Sequence, residues 1–101
     1  MKNAVIMLDR NENGQLEALI FPIRDWEGFD KLIEYMGNEF EAVVLEKIEG
    51  PYARRYILSV RGKKFELIHE DGYGNYLVAP TKESELIITE IANDLEQRFK
   101  D

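Results

Sequence analysis

A chain of 101 residues with 45% apolar side chains holds enough material for one hydrophobic core and too little for two, so one domain is expected over residues 1–101. A formal charge of -7 disfavours nonspecific attachment to nucleic acid or to an anionic membrane, both of which repel an acidic surface. Cysteine is absent and His69 is the sole histidine, which excludes disulfides, thiol chemistry and any metal site built on two imidazoles; no cofactor is expected.

The apolar run Asn3–Leu8 has the length of a buried strand. It is too short for a signal-peptide core or a membrane span, which points to a cytoplasmic protein. The polar cluster Asp9–Gly14 ends in Asn-Gly, a pair that favours the left-handed backbone of hairpin turns, so Leu16–Phe21 is expected to return beside the first strand until Pro22 stops it. Asp25 is a candidate N-cap, and Trp26, Phe29, Leu32, Ile33 and Met36 then recur at helical spacing, with Gly37-Asn38 as the expected stop.

Glu39–Ile48 is the third strand candidate, and its blurred alternation predicts a bulge or burial on both faces. After the turn Glu49–Tyr52, a hairpin reverses at Arg61-Gly62-Lys63. Tyr56, Leu58 and Val60 share one face of its first arm, and Phe65, Leu67 and His69 alternate along the second. A glycine loop, Asp71–Asn75, leads into the short strand Tyr76–Ala79. Thr81 then caps a final helix whose stripe is Ile87, Ile88, Ile91, Leu95 and Phe99. The fold predicted is α+β, in the order ββαββββα, with an antiparallel sheet of five or six strands and both helices packed on one face.

Four groupings bear on chemistry. His69-Glu70-Asp71 sets the imidazole beside two carboxylates, but successive strand residues point to opposite faces, so a half-buried histidine is the simpler expectation. Gly72 and Gly74 lack the third glycine of a dinucleotide fingerprint and read as a tight turn. Lys47, Arg54, Arg55, Arg61, Lys63 and Lys64 crowd between positions 47 and 64 with Tyr52, Tyr56 and Phe65, a mixture also used by single-stranded nucleic acid platforms; a charged edge that resists aggregation is the commoner outcome. Acidic residues gather on the two helices, where they suit either a solvated face or electrostatic steering of a cationic partner.

The segments Phe65–Pro80, Ser84–Ile91 and Asp94–Arg98, roughly the C-terminal half, resemble small acidic bacterial immunity proteins, which are encoded beside toxins. That resemblance implies a non-catalytic domain that covers a toxin, and it transfers no binding residue by match. From charge and exposure the expected partner-binding residues are Glu27, Asp30 and Glu34 on the first helix, Glu90 and Asp94 on the last, and the aromatic anchors Tyr73 and Tyr76. The expected partner is a protein, most concretely a cationic toxin, with neither nucleic acid nor membrane involved. Two other readings stay open: a module binding a small molecule or nucleotide through the glycine loop with Arg54, Arg55 and Lys63, and a homo-oligomer built on an uncovered sheet face or edge.

Overall fold

The computed structural model describes residues 6–100, which form β1 (Ile6–Arg10), β2 (Leu16–Ile20), α1 (Trp26–Phe40), β3 (Val43–Glu49), β4 (Ala53–Val60), β5 (Lys63–Glu70), β6 (Gly74–Ala79) and α2 (Lys82–Lys100). The strands make one antiparallel sheet in the order β1-β2-β6-β5-β4-β3. The α+β order read from the sequence is therefore the observed one. Short links force antiparallel hairpins, whereas α1 carries the chain from β2 to the far edge, from which β3 to β6 walk back to meet β2.

Local chemistry sets the turns. Asn11 Oδ1 accepts from the amides of Asn13 and Gln15, and Gly14 takes φ 78°, so the first reversal covers Asn11–Gln15 and β1 extends through Asp9 and Arg10. The part of the expected first strand before Ile6 lies outside the described residues. Arg61 (φ 50°) and Gly62 (φ 80°) form a two-residue turn closed by the pair Val60 and Lys63.

Helix α1 starts as expected, with Asp25 Oδ1 accepting from the Gly28 amide at 2.8 Å. A Cβ on residue 28 would collide with Ile23 and Asp25, so glycine permits this cap. The helix ends later than Gly37-Asn38 suggested. It runs to Phe40, and Glu41 takes the left-handed conformation (φ 56°) while the Glu41 and Ala42 amides both donate to the Met36 carbonyl. Phe40 packs edge-on against Tyr35 and onto the core, a contact that offsets the roughly 1 kcal/mol cost of a mid-helix glycine. Consequently the third strand begins at Val43 instead of Glu39, and the expected bulge falls between Val44 and Glu46.

Both helices pack on one face of the sheet. Its inward residues include Ala18, Ile20, Leu58, Phe65, Leu67 and Leu77, which meet Phe29, Leu32 and Met36 of α1 and Ile87, Ile88 and Ile91 of α2 in one apolar cluster. Two stripe residues depart from expectation: Trp26 and Phe99 remain exposed, Trp26 because it lies over polar groups at the rim and Phe99 because it sits in the last turn of α2. Thr81 Oγ1 caps α2 by accepting from the Ser84 amide. No helix among the described residues is long and apolar enough to cross a membrane.

Candidate functional site

At one end of the covered face the apolar core gives way to a row of polar residues. Antiparallel register places Glu49 opposite Arg54, Arg54 opposite His69, and His69 opposite Asn75, all beneath the first turn of α1. Arg54 is buried. Its guanidinium donates to Asp30 Oδ1 at 2.8 Å, to Tyr56 Oη at 2.9 Å and to the Trp26 carbonyl at 3.3 Å. Burial alone would lower the Arg54 pKa, and the bonds to Asp30 and Tyr56 outweigh it, so the value rises. Arg54 Nε has no hydrogen-bond partner, alone among buried side-chain polar atoms of the described residues. The guanidinium compensates by lying 4.3 Å from the Phe29 ring centroid and 4.7 Å from that of Trp26.

His69 is held from both sides. Asn75 Nδ2 donates to the carbonyls of Ile23 and Asp25, which fixes the amide so that Oδ1 accepts from His69 Nδ1 at 2.8 Å. Nε2 faces Asp71 Oδ1 at 2.9 Å. The Trp26 ring meets the imidazole edge-on at 5.3 Å. This arrangement ties α1, β5 and the Asp71–Tyr73 turn together, and it leaves neither ring nitrogen directed at solvent.

The glycine loop is shorter than expected, because Gly74 and Asn75 belong to β6. Asn75 is a buried anchor and not a left-handed turn residue; the positive φ values fall on Gly72 and Gly74. The Asp71 amide donates to the Tyr52 carbonyl and the Tyr73 amide to that of Glu70, so neither is available to a phosphate. Among the described residues no group of three or more His, Asp or Glu side chains is placed to hold a metal ion.

The other face of the sheet carries no layer among the described residues. Register lines up Met7, Leu19, Tyr76, Ile68, Arg55 and Ile48 as one row across all six strands. A parallel row holds Asp9, Glu17, Val78, Glu66, Ile57 and Glu46. Tyr76 and Val78 are 9% and 5% exposed yet lie outside the core cluster, shielded only by neighbouring side chains of this face. Tyr76 donates to Glu70, and burial followed by that bond raises its pKa. Tyr73 stands edge-on against Tyr76 at 5.3 Å. A shallow hollow of about 440 Å³ opens here, with Ile48, Arg55, Ile68, Glu70 and Tyr76 in its lining.

These placements divide the expected binding residues. Tyr73 and Tyr76 come together at the uncovered face, whereas Glu27, Asp30, Glu34, Glu90 and Asp94 lie on helices that cover the opposite face. Of those acids, Asp30 is paired with Arg54, Glu90 with Arg61 and Asp94 with Arg98. Arg54, Arg55 and Lys63 are likewise not brought together: Arg54 points into the covered face, Arg55 lies on the uncovered one, and Lys63 pairs with Glu83 at the far end of the hairpin. Sequence reading missed the apolar side chains of the uncovered face. The signal was present, because Leu19, Ile57, Ile68 and Val78 occupy the outward parity of strands whose inward parity is also apolar. No protein-family model, curated protein or solved structure matches this chain.

Proposed function

We propose that this chain is a non-catalytic protein-binding domain, and most concretely a bacterial immunity protein that neutralises a toxin by covering it. The observation that carries the reading is the sheet face left without a layer, where Met7 is 49% exposed on the β1 edge and Ile48, 41% exposed, lines a shallow hollow. Support comes also from His69, which is buried with Nδ1 held by the fixed amide of Asn75 and Nε2 facing Asp71, so that neither nitrogen is presented to a substrate. The resemblance of the C-terminal half to immunity proteins supplies the toxin as the partner class.

The test is binding and growth with the purified products of the genes flanking its own. One of them should inhibit growth alone, form a stoichiometric complex with this chain and be neutralised by co-expression. Protection should survive His69→Gln in a folded variant. Failure of both flanking products to bind, or protection lost with that substitution while the complex persists, would overturn the reading.

A further inference from the structure

We infer that the uncovered sheet face is the docking surface, and that it fits a partner protein whose exposed apolar side chains are ringed by lysine and arginine. This rests on the protein-binding reading above and moves the contact from the helical acids to the opposite side of the molecule.

Three observations lead there. First, an apolar row crosses the sheet with one interruption: Met7, Leu19, Tyr76 and Ile68 follow one another by direct register over four strands, and Arg55 separates them from Ile48. At the spacing of neighbouring strands it spans about 24 Å, the width of a protein contact and not of a single small ligand. Second, carboxylates border it. Asp9, Glu17, Glu66 and Glu46 follow the parallel row, and Glu70 stands on the other side of Tyr76. Against these five carboxylates stand three cations: Arg55 within the row, 3.7 Å from Glu66, Lys64 beside Glu66 on β5, and Arg24, which reaches the Tyr73 carbonyl and Gly74 next to Tyr76, so acid exceeds base here. Third, an apolar centre enclosed by charge is the anatomy of a specific interface, where the rim guides approach and the centre supplies affinity.

The charge pattern selects the occupant. A second copy would bring one carboxylate border against another, or bury it on the apolar row, and the cations it brings are outnumbered by its own carboxylates, with Arg55 already beside Glu66. Nucleic acid and anionic lipid meet the same repulsion. A cationic protein surface supplies the missing partners, and the hollow beside Tyr76 accepts one of its larger apolar side chains.

The test uses isotope-labelled protein and three synthetic peptides of equal length and equal Leu and Phe content, differing only in carrying Lys, Gln or Glu at the polar positions. The Lys peptide should shift the amides of β2, β5 and β6 at the uncovered face. Its affinity should fall about tenfold or more with Ile68→Lys. Glu17→Gln combined with Glu46→Gln, which leaves the core untouched, should also weaken it, whereas Glu27→Gln with Glu34→Gln on α1 should not. Shifts confined to the helical side, equal affinity for the Lys and Gln peptides, or no binding by the Lys peptide would each overturn the inference. Concentration-dependent dimerisation through this face, read by light scattering, would assign it to a second copy and overturn it as well. None of these outcomes bears on capture of a flanking gene product, so the two readings fail separately.

Discussion

The two faces of one sheet show how the same kind of side chain acquires different roles. On β5, Leu67 and Ile68 are consecutive and both aliphatic; Leu67 lies between Tyr56 and Leu77 across the strands, and Ile68 between Arg55 and Tyr76. Leu67 faces the helices and is fully buried, whereas Ile68 faces the hollow and is only partly shielded. Alternation along a strand makes such pairs unavoidable, and what lies over each face decides whether an aliphatic residue stabilises the fold or stays available for contact.

The sharpest way to break this comparison is to truncate the pair one residue at a time. Leu67→Ala should cost about 2–5 kcal/mol, the range for emptying a packed core position. Ile68→Ala should cost about 1 kcal/mol or less, since little of its environment is dry. Urea unfolding measures both. Equal losses would mean that the uncovered face is packed as a second core, and the docking argument would lose its basis.

The polar end of the covered face sharpens the contrast from within. Arg54→Ala removes the bonds to Asp30, Tyr56 and Trp26 together with the stem beneath the aromatic rings, and should destabilise by about 3 kcal/mol. Arg54→Met keeps an apolar stem and should cost less, because Asp30 is exposed enough to be rehydrated. Near-ultraviolet circular dichroism of Trp26 should change in both variants. A Met variant as damaged as the Ala one would show that the charge, and not the packing, dominates.

A smaller loss, about 2 kcal/mol, is expected for Asn75→Ala, which deprives His69 Nδ1 and the carbonyls of Ile23 and Asp25 of their partners. Hydrogen exchange should then accelerate in the first turn of α1 before it does in α2. Uniform acceleration would show that Asn75 supports the whole fold and not the local junction.

Most of the architecture was legible because periodicity and turn chemistry are local. The stripe from Phe29 to Met36, the Asp25 cap and the Arg61-Gly62 reversal each follow from residues a few positions apart. The late end of α1 was not legible, since Gly37 carries a stop signal that the packing of Phe40 overrides at a distance. The polar row was hidden for a related reason. Arg54 and Asn75 extend the inward parity of Tyr56 and Leu77, but their partners Asp30 and Ile23 arrive from α1 and the segment before it, across a separation no spacing reveals. The ion pair of Glu90 with Arg61 was hidden for the same reason, whereas that of Asp94 with Arg98 follows the i, i+4 spacing of one helix.

The smallest expected effect concerns the contact between the helices. Tyr35 donates to Asp94 Oδ2 at 2.6 Å, and that bond, with Arg98 second, holds the Asp94 carboxyl below its ordinary value of 3.8. A lowered carboxyl pKa in the folded state contributes stability that is complete above the unfolded value and is lost as pH falls through the folded one. Tyr35→Phe should therefore lower stability by under about 1 kcal/mol at neutral pH, because Asp94 is more than a third exposed and solvent screens the pair. The gap between variant and parent should narrow below about pH 4 as Asp94 takes up a proton. On the alkaline side, burial and then Asp94 raise the Tyr35 pKa, so its own contribution fades only as pH climbs above 10. Thermal unfolding between pH 3 and 7 checks the acid limb. A gap that stays constant over that range would show that the hydroxyl does not act through the Asp94 carboxylate, and no gap at all would leave the ring, which Phe retains, as the part that matters against Phe40 and Arg98.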